Sequence, residues 1–238
     1  HARPRPPQDD NSGMTSEENT LSGLAAQVID LHDAALAASG GPPVAAPAEQ
    51  QDFNHLYWIR ANHRFNSLLW AEEDLARRTQ VSDSEIAANK RAIDGYNQAR
   101  NDATERVDEL LLVSLGLVDR TSAATASPVS LASADARLNS ETAGSIIDRM
   151  SIMALKVHAM RWQTQRTDVD DEHRSSSAVK LARLEQQRQD LASCLDRLVA
   201  DCQSGAAHFK IYRQFKMYND PRFNPALVAE RAPSQGQA

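Results

Sequence analysis

The sequence predicts an all-α protein, an antiparallel bundle of four to five long helices with a C-terminal strap. Long stretches with apolar residues at helical spacing follow one another along the 238 residues. The connections between these stretches are short and polar, and no alternating pattern indicates paired strands. A chain of this length buries roughly 70% of its unfolded surface, so a core forms without disulfides or metal.

The first two predicted helices are separated by a proline-rich linker. Residues 1–19 are rich in proline and polar residues, and we expect a disordered tail there. Helix one is predicted over about 21–38, because the cluster Gly40–Pro43 is a strong stop signal. After an Ala/Pro linker, helix two is predicted over about 53–78.

Capping residues mark the limits of the third helix. Ser82 or Asp83 caps its N-terminus, and Gly116 follows its last turn, which predicts a helix over about 83–115. Residues 119–138 are rich in serine and alanine and weakly patterned. They are predicted as a mobile loop.

The last two long helices are joined by an acidic turn. Helix four is predicted over about 141–167 and helix five over about 176–203, with Asp168–Glu172 as the turn between them. The segment 208–225 is aromatic and basic and contains turn dipeptides, so we expect a strap across the bundle. Residues 226–238 are predicted as a disordered tail.

We therefore expect one domain over residues 20–225. Hydrophobic residues make up 41% of the chain and charged residues 24%, as in soluble globular proteins. No apolar stretch approaches the ~18 uncharged residues that a membrane span needs. The N-terminus lacks a basic-then-apolar signal pattern, which predicts a cytoplasmic protein. Cys194 and Cys202 lie on one predicted helix about 12 Å apart, too far for a disulfide.

The charge pattern argues against nucleic-acid binding. The net charge is −6, whereas neutralising phosphates requires a basic face. The strap interleaves Lys210 and Arg213 with Phe209 and Tyr212, a pattern that can bind single-stranded nucleic acid. In an acidic protein we interpret these aromatic residues as contacts that dock the strap onto the bundle.

Polar residues occupy positions on the predicted inward faces where core residues belong. Glu72 falls within the apolar arc of helix two, six polar residues fall within that of helix three, and Lys156 lies beside the apolar row of helix four. An unpaired buried charge costs several kcal/mol, so these residues must pair with each other or with a ligand. The candidate ligand-binding residues are Glu72, Lys90, Asp94, Asn97, Arg100, Asn101, Asp108 and Lys156.

Two interpretations of this polar set remain open at the sequence level. Buried amides and charge pairs in bundles often fix helix register only, and Lys90 and Asp94 have the spacing of a surface ion pair. Alternatively, the set forms a pocket in which amides bind hydroxyl groups and cations bind phosphate.

A divalent-metal site is a further alternative. Its candidate ligands are Glu72 and Glu73 on helix two with Glu105 and Asp108 on helix three, since hard oxygen ligands suit Mg²⁺ or Mn²⁺. The pattern is similar to that of the all-α nucleoside triphosphate pyrophosphohydrolases, although Asp74 and nearby cations depart from it. A di-iron centre is excluded, because the chain contains no Glu-x-x-His motif. The sequence contains no readable nucleophilic triad or Gly-rich phosphate loop.

Four stretches carry a resemblance to a known family. They are Asn66–Arg77 (NSLLWAEEDLAR), Lys90–Asp102 (KRAIDGYNQARND) with the following Glu105 and Asp108, Glu141–Lys156 (ETAGSIIDRMSIMALK) and Tyr212–Pro221 (YRQFKMYNDP). In this order they resemble the bacterial domain-of-unknown-function family four-two-five-four, over roughly residues 25–225. The N-terminal tail and the 119–138 loop depart from the family. The resemblance implies a cytoplasmic helical protein whose relatives are often encoded beside sugar transferases for lipopolysaccharide and other envelope glycans.

The sequence thus favours an accessory or ligand-binding module in envelope-glycan biosynthesis, without a cofactor. Its expected partner is a sugar transferase, or a phosphorylated or sugar ligand. The alternative is a metal-dependent all-α hydrolase of a nucleotide or sugar nucleotide that uses Mg²⁺ or Mn²⁺. In that case the four carboxylates should converge within about 5 Å of one point.

The accessory-module hypothesis makes a different expectation for the acids. Lys90, Arg100 or Lys156 should then neutralise Glu72 and Asp108. Separately, Trp58, Ile59 and Trp70 do not fit one inward face of helix two. Such residues would line a second packing face against helix one or a homodimer partner.

Overall fold

The computed structural model describes residues 21–47, 54–214 and 220–231. Within these ranges the chain is mostly helical, with one short pair of parallel strands. The elements in chain order are α1 (Leu24–Ser39), α2 (His55–Ala76), α3 (Asp83–Ser114), α4 (Arg120–Ala123), β1 (Arg137–Leu138), α5 (Ala143–Gln165), α6 (Asp171–Gln203), β2 (Ala207–His208) and α7 (Pro225–Arg231). The predicted all-α class is confirmed.

Local capping sets the ends of α1 and α3. At the start of α3, the Ser82 hydroxyl accepts a hydrogen bond from the Glu85 amide, and the Glu85 carboxylate accepts one from the Ser82 amide. At the end of α1, Gly40 adopts a φ of 68°, a conformation that costs glycine nothing. These signals are local, and both ends lie within a residue of their predicted positions.

The helix α6 begins earlier than predicted. Asp170 accepts a hydrogen bond from the His173 amide and caps the helix, so α6 starts at Asp171 rather than near Ser176. The acidic run that was interpreted as a turn supplies the first turn of this helix. Carboxylates are stabilising at that end because the unpaired backbone N–H groups there carry partial positive charge.

The predicted loop over residues 119–138 contains regular structure. It includes α4 and β1, and β1 pairs in parallel with β2 through Arg137 with Ala207 and Leu138 with His208. The expectation that strand pairs are absent is therefore wrong. A strand of two residues is too short to produce an alternating pattern, so the sequence carries no signal for it.

The two predicted tails have different outcomes. Residues 1–19 lie outside the described residues. Residues 225–231, which reach into the segment predicted as a disordered C-terminal tail, form the short helix α7. Of the predicted strap, the described residues 209–214 are not helical.

The helices pack mainly as two antiparallel pairs, α2 with α3 and α5 with α6, and α5 also contacts α1, α2 and α3. The largest apolar cluster lies where α1, α5 and α6 meet near the ends of α2 and α3. Its fully buried members include Leu24, Val28, Ile59, Leu111, Leu112, Ile147, Met150 and Leu195. No described helix is long and apolar enough to cross a membrane.

The inward face of α2 differs from the predicted one. Ile59 is fully buried, and Trp58 is partly buried against the main core. Trp70 packs against a smaller cluster that includes Leu155. The residues that suggested a homodimer surface are therefore engaged within the chain.

Candidate functional site

Two asparagine side chains of α2 hold one carboxylate of α5. Asn62 and Asn66 are one helical turn apart and almost completely buried. Their Nδ2 atoms donate to the same oxygen, Oδ1 of Asp148, at 2.8 and 2.9 Å. Because two fixed amides grip it, the Asp148 carboxylate has a defined orientation.

The same amides extend the network to two more helices. Asn62 Nδ2 donates to the Thr104 hydroxyl of α3 at 3.1 Å, and Asn66 Nδ2 donates to the Ser151 hydroxyl of α5 at 3.1 Å. Ser151 Oγ also lies 2.8 Å from Nδ1 of His63. A continuous polar layer therefore connects α2, α3 and α5 inside the protein.

Arg100 lies opposite Asp148. The Arg100 Nε atom is 3.9 Å from Oδ1 of Asp148, and both side chains are partly exposed. Arg100 also donates to the amide oxygen of Asn101 at 3.2 Å. The pair thus lies closer to the surface than the amides of Asn62 and Asn66, which are almost completely buried.

An open cleft follows the line along which α3 and α5 run antiparallel, and we name it the α3–α5 groove. Its first part, of about 330 Å³, is lined by residues that include Asn66, Leu69, Trp70, Asn97, Arg100 and Leu155. Its second part, of about 450 Å³, is lined by residues that include Asn101, Thr104, Asp108, Thr142, Asp148 and Arg213. The Arg100–Asp148 pair lies between the two parts.

Asp108 joins α3 to the start of α5. Its buried Oδ1 accepts a hydrogen bond from the Gly144 amide at 2.6 Å. Burial raises the pKa of the Asp108 carboxyl to about 7, although the Thr142 and Gly144 hydrogen bonds oppose this rise and the nearby Glu105 and Glu109 add to it.

Gly144 permits this close approach of the two helices. A Cβ atom at this position would lie 2.7 Å from the Thr104 carbonyl oxygen and 2.8 Å from Asp108 Oδ1. The Thr104 oxygen belongs to the backbone of α3, so it cannot turn away as the end of a side chain can, and a larger residue does not fit without a shift of the helices. The geometry of the second part of the groove therefore depends on this glycine.

The C-terminal segment closes one end of the groove through Arg213. Its guanidinium donates to the Glu105 carboxylate at 3.1 Å, to the Glu109 carboxylate, and to the Ala123 carbonyl at 2.5 Å. The Gln214 amide also donates to Glu105 at 3.1 Å. These partners raise the pKa of Arg213 against the lowering effect of burial.

Four of the eight predicted ligand-binding residues line the groove. They are Asn97, Arg100, Asn101 and Asp108. Lys156 lines a separate depression between α5 and α6. Lys90 and Asp94 form an ion pair with each other on the exposed side of α3, so their predicted inward orientation is wrong.

The acids are not neutralised in the way that the sequence analysis expected. Glu72 accepts a hydrogen bond from Asn89 Nδ2 at 2.7 Å, and Asp108 accepts its hydrogen bond from a backbone amide. Arg100 faces Asp148 instead. Glu72 and Asp108 thus accept hydrogen bonds from a side-chain amide and a backbone amide, whereas the sequence predicted ion pairs with Lys90, Arg100 or Lys156.

The carboxylates proposed as alternative metal ligands have different partners in the structure. Among the described residues, no group of three or more His, Cys, Asp or Glu side chains could hold a metal ion. Glu73 pairs with Arg77 on the surface, Glu72 with Asn89, and Glu105 with Arg213. The structure does not bring Glu72, Glu73, Glu105 and Asp108 to one point.

Sequence reasoning underestimated the contribution of α2. Asn62, His63 and Asn66 were not among the predicted ligand-binding residues. The available signal was the spacing of the two asparagines, which puts both amides on one face of the helix. Their burial needs the partners that α3 and α5 supply.

The chain matches the family model described as Protein of unknown function (DUF4254) over residues 56–211. This match covers more than half of the 238 residues. The chain belongs to the DUF4254 family. No curated protein and no solved structure matches it.

The DUF4254 match includes most of the groove. It extends from α2 through α6 and ends at Ile211. It therefore contains the groove-lining residues of α2, α3 and α5. The helix α1 and the closing residue Arg213 lie outside it.

Proposed function

We propose that this DUF4254 protein is a cytoplasmic helical-bundle module that binds a sugar or a phosphorylated sugar in the α3–α5 groove. The observation that carries the proposal is the Asp148 carboxylate, which two buried amides orient beside Arg100 at the centre of the groove. Because the hydrogen bonds from Asn62 and Asn66 fix the Asp148 carboxylate before a ligand arrives, the site is preorganised for binding.

The groove offers the groups that recognise a sugar ring. Carboxylate and amide oxygens accept hydrogen bonds from hydroxyl groups, and the amides of Asn97 and Asn101 both donate and accept. Trp70 and Leu69 line the first part of the groove. An aromatic side chain beside planar polar groups supports a ligand with both a ring face and hydroxyl edges.

The charge balance supports a ligand bound mainly through hydroxyl groups. Arg100 faces Asp148, Arg213 contacts Glu105 and Glu109, and Arg149 lies 2.5 Å from Glu141. These cations are already compensated by carboxylates. A single phosphate group would contact Arg100, whereas a polyanion would displace too many carboxylates.

We further propose that the bound sugar is an intermediate of envelope-glycan assembly and that a sugar transferase is the protein partner. The support is the family resemblance, since relatives are often encoded beside sugar transferases.

Isothermal titration calorimetry of the full chain with glucose 1-phosphate and with UDP-glucose tests the groove. We expect one ligand per chain. Arg100→Gln and Asn101→Ala each remove a groove contact and should weaken binding by about tenfold, the equivalent of about 1.4 kcal/mol.

Arg91→Gln provides the matched control, because Arg91 is an exposed arginine of α3 that does not line the groove. Its affinity should equal that of the unmodified protein. Absence of binding of both compounds, or equal affinity of the Arg100 and Arg91 variants, would contradict the proposal.

A further inference from the structure

A second polar feature lies on the far side of Ser151 from the groove. His32 of α1 and His63 of α2 stack with their ring centroids 4.3 Å apart and an interplanar angle of 27°. Both side chains are almost fully buried, at 0% and 1% exposure. The groove does not use either imidazole.

Most nitrogen atoms of this imidazole pair lack a partner. Among the described residues, both ring nitrogens of His32 and Nε2 of His63 have no hydrogen bond, and Nε of the nearby Arg188 has none either. Leaving one such group unsatisfied costs about 1–3 kcal/mol, and native proteins rarely do so. Several orphaned nitrogens in one place indicate that a ligand completes the site.

A cavity of about 320 Å³ adjoins the pair, and we name it the imidazole cavity. Its lining includes His32, His63 and Arg60, together with Ala35, Val44 and Pro47. The segment over it is fixed, because the Val44 amide donates to Ser67 and Arg64 donates to the Val44 carbonyl. Its volume far exceeds the ~30 Å³ of one water molecule.

The charges around the imidazole cavity favour an anion. Among the residues that the structure describes, its lining contains one cation, Arg60, and no carboxylate. From α6, Arg188 faces the pair. Its guanidinium also forms a salt bridge with Asp33 of α1, in which the N–O distance is 2.8 Å. From α5, the Ser151 hydroxyl lies 2.8 Å from Nδ1 of His63. A metal cation would be repelled by the arginines.

We propose that the imidazole cavity binds a small oxyanion, a carboxylate or a phosphate group. Imidazole N–H groups of His32 and His63 donate to its oxygens, and Arg60 supplies the opposite charge at the rim. Neutral imidazole retains one N–H, so binding begins without protonation and strengthens when a second proton is added.

Burial lowers the pKa of both histidines, that of His63 to about 4. The charge of Arg188 lowers both pKa values further, as the charge of His63 does for His32, whereas an interaction with the His32 backbone partly raises that of His63. A bound anion opposes the lowering effects and raises these pKa values towards neutrality. By linkage, the anion must therefore bind more tightly as the pH falls. This coupling distinguishes a histidine-lined site from simple attraction to Arg60.

Nitrogen-15 NMR of the histidine rings in the full chain tests the proposal. Inorganic phosphate and sodium acetate are titrated separately at constant ionic strength, which separates the two oxyanion classes. We expect saturable shifts of the His32 and His63 resonances with at least one of them. Acetate stays ionised from about pH 6 to pH 8, so its affinity should rise several-fold towards the lower pH.

Three variants show where the anion binds. Arg60→Gln changes an exposed residue and should weaken anion binding by about tenfold without affecting folding. Arg91→Gln should bind as the unmodified protein does. His63→Gln should reduce the pH dependence, because only His32 then remains to take up a proton; its circular dichroism spectrum should match that of the parent.

Two results would contradict the proposal. Histidine resonances that stay unchanged with both anions would indicate that water alone occupies the cavity, and the proposal would fall. Equal affinities of the Arg60 and Arg91 variants would show that the ions bind elsewhere.

Discussion

The two faces of α5 are buried in different ways. One face carries Ile147 and Met150, which pack against α1 and α6 in the apolar core. The other carries Gly144, Asp148 and Ser151, which contact α2 and α3 through hydrogen bonds of 2.6–3.1 Å. The apolar face is stabilised by non-directional burial, whereas the polar face depends on individual donors and acceptors.

This difference predicts where the protein tolerates change. An apolar contact persists when a side chain is exchanged for another of similar volume. A buried amide that loses its acceptor keeps its full desolvation cost. Substitutions on the polar face of α5, or at the residues that it contacts, should therefore destabilise the protein through lost hydrogen bonds even where the volume of the side chain is kept.

The largest expected effect concerns the pH dependence set by Asp108. The folded-state pKa of about 7 lies above the ordinary value of 3.8, so the unfolded chain releases this proton first as the pH rises. The carboxyl therefore lowers stability progressively between about pH 4 and pH 7. Asp108→Asn keeps an acceptor oxygen for the Gly144 amide and removes this pH-dependent loss of stability, because an amide does not titrate.

We expect Asp108→Asn to gain stability over the parent with rising pH, by up to about 4 kcal/mol at pH 8. Urea unfolding at about pH 4.5, 6 and 8 measures the difference. Since other titrating groups are common to both proteins, their effects cancel. A difference that stays constant with pH would mean that Asp108 is ionised in the folded state.

The next effect is steric and tests the contact between α3 and α5. Gly144→Ala places a methyl group 2.7 Å from the Thr104 carbonyl and displaces the Asp108 hydrogen bond. We expect a destabilisation of about 3 kcal/mol, measured by chemical unfolding.

Gly95→Ala is the matched control in the same protein. Gly95 lies within α3, and a Cβ atom there would meet nothing within 4 Å. Alanine should stabilise this helix by about 0.5–1 kcal/mol. Equal effects at the two glycines would show that α3 and α5 do not approach as closely as described.

A smaller effect is expected at the carboxylate held by the two asparagines. Asp148→Ala removes the acceptor of Asn62 and Asn66 and should cost about 2 kcal/mol. Asp148→Asn retains an acceptor oxygen and should cost about 1 kcal/mol or less. Thermal unfolding of the pair compares them directly, and equal melting temperatures would show that the amides do not depend on this acceptor.

The helices could be predicted from the sequence because their signals are local. The Ser82–Glu85 capping box and Gly40 lie beside the ends that they define. A strand of two residues, such as Ala207–His208, gives no pattern, since its pairing depends on residues far along the chain. Accordingly, the class and the helix ends marked by these caps were predictable, but the start of α6 and the strand pair were not.

The centre of the groove was only partly predictable. Periodicity assigns polar residues to the outside of a helix, yet Asn62 and Asn66 are buried because Asp148 receives their hydrogen bonds. Arg100 was among the predicted site residues and lines the groove, but its partner Asp148 was not predicted, since the register of α3 against α5 is fixed by tertiary contacts such as Asp108 with Gly144. Spacing along one helix cannot supply that register.

The smallest expected effect is on the opposite side of α3. Lys90 and Asp94 are an exposed pair with 66% and 61% of their side-chain surfaces accessible. Exposed pairs of this spacing contribute less than about 0.5 kcal/mol. Lys90→Ala should therefore leave both the unfolding free energy and the affinity for glucose 1-phosphate almost unchanged. A loss of affinity comparable with that of Arg100→Gln would place the ligand on the exposed face of α3, because a lysine there can reach only a ligand bound outside the groove.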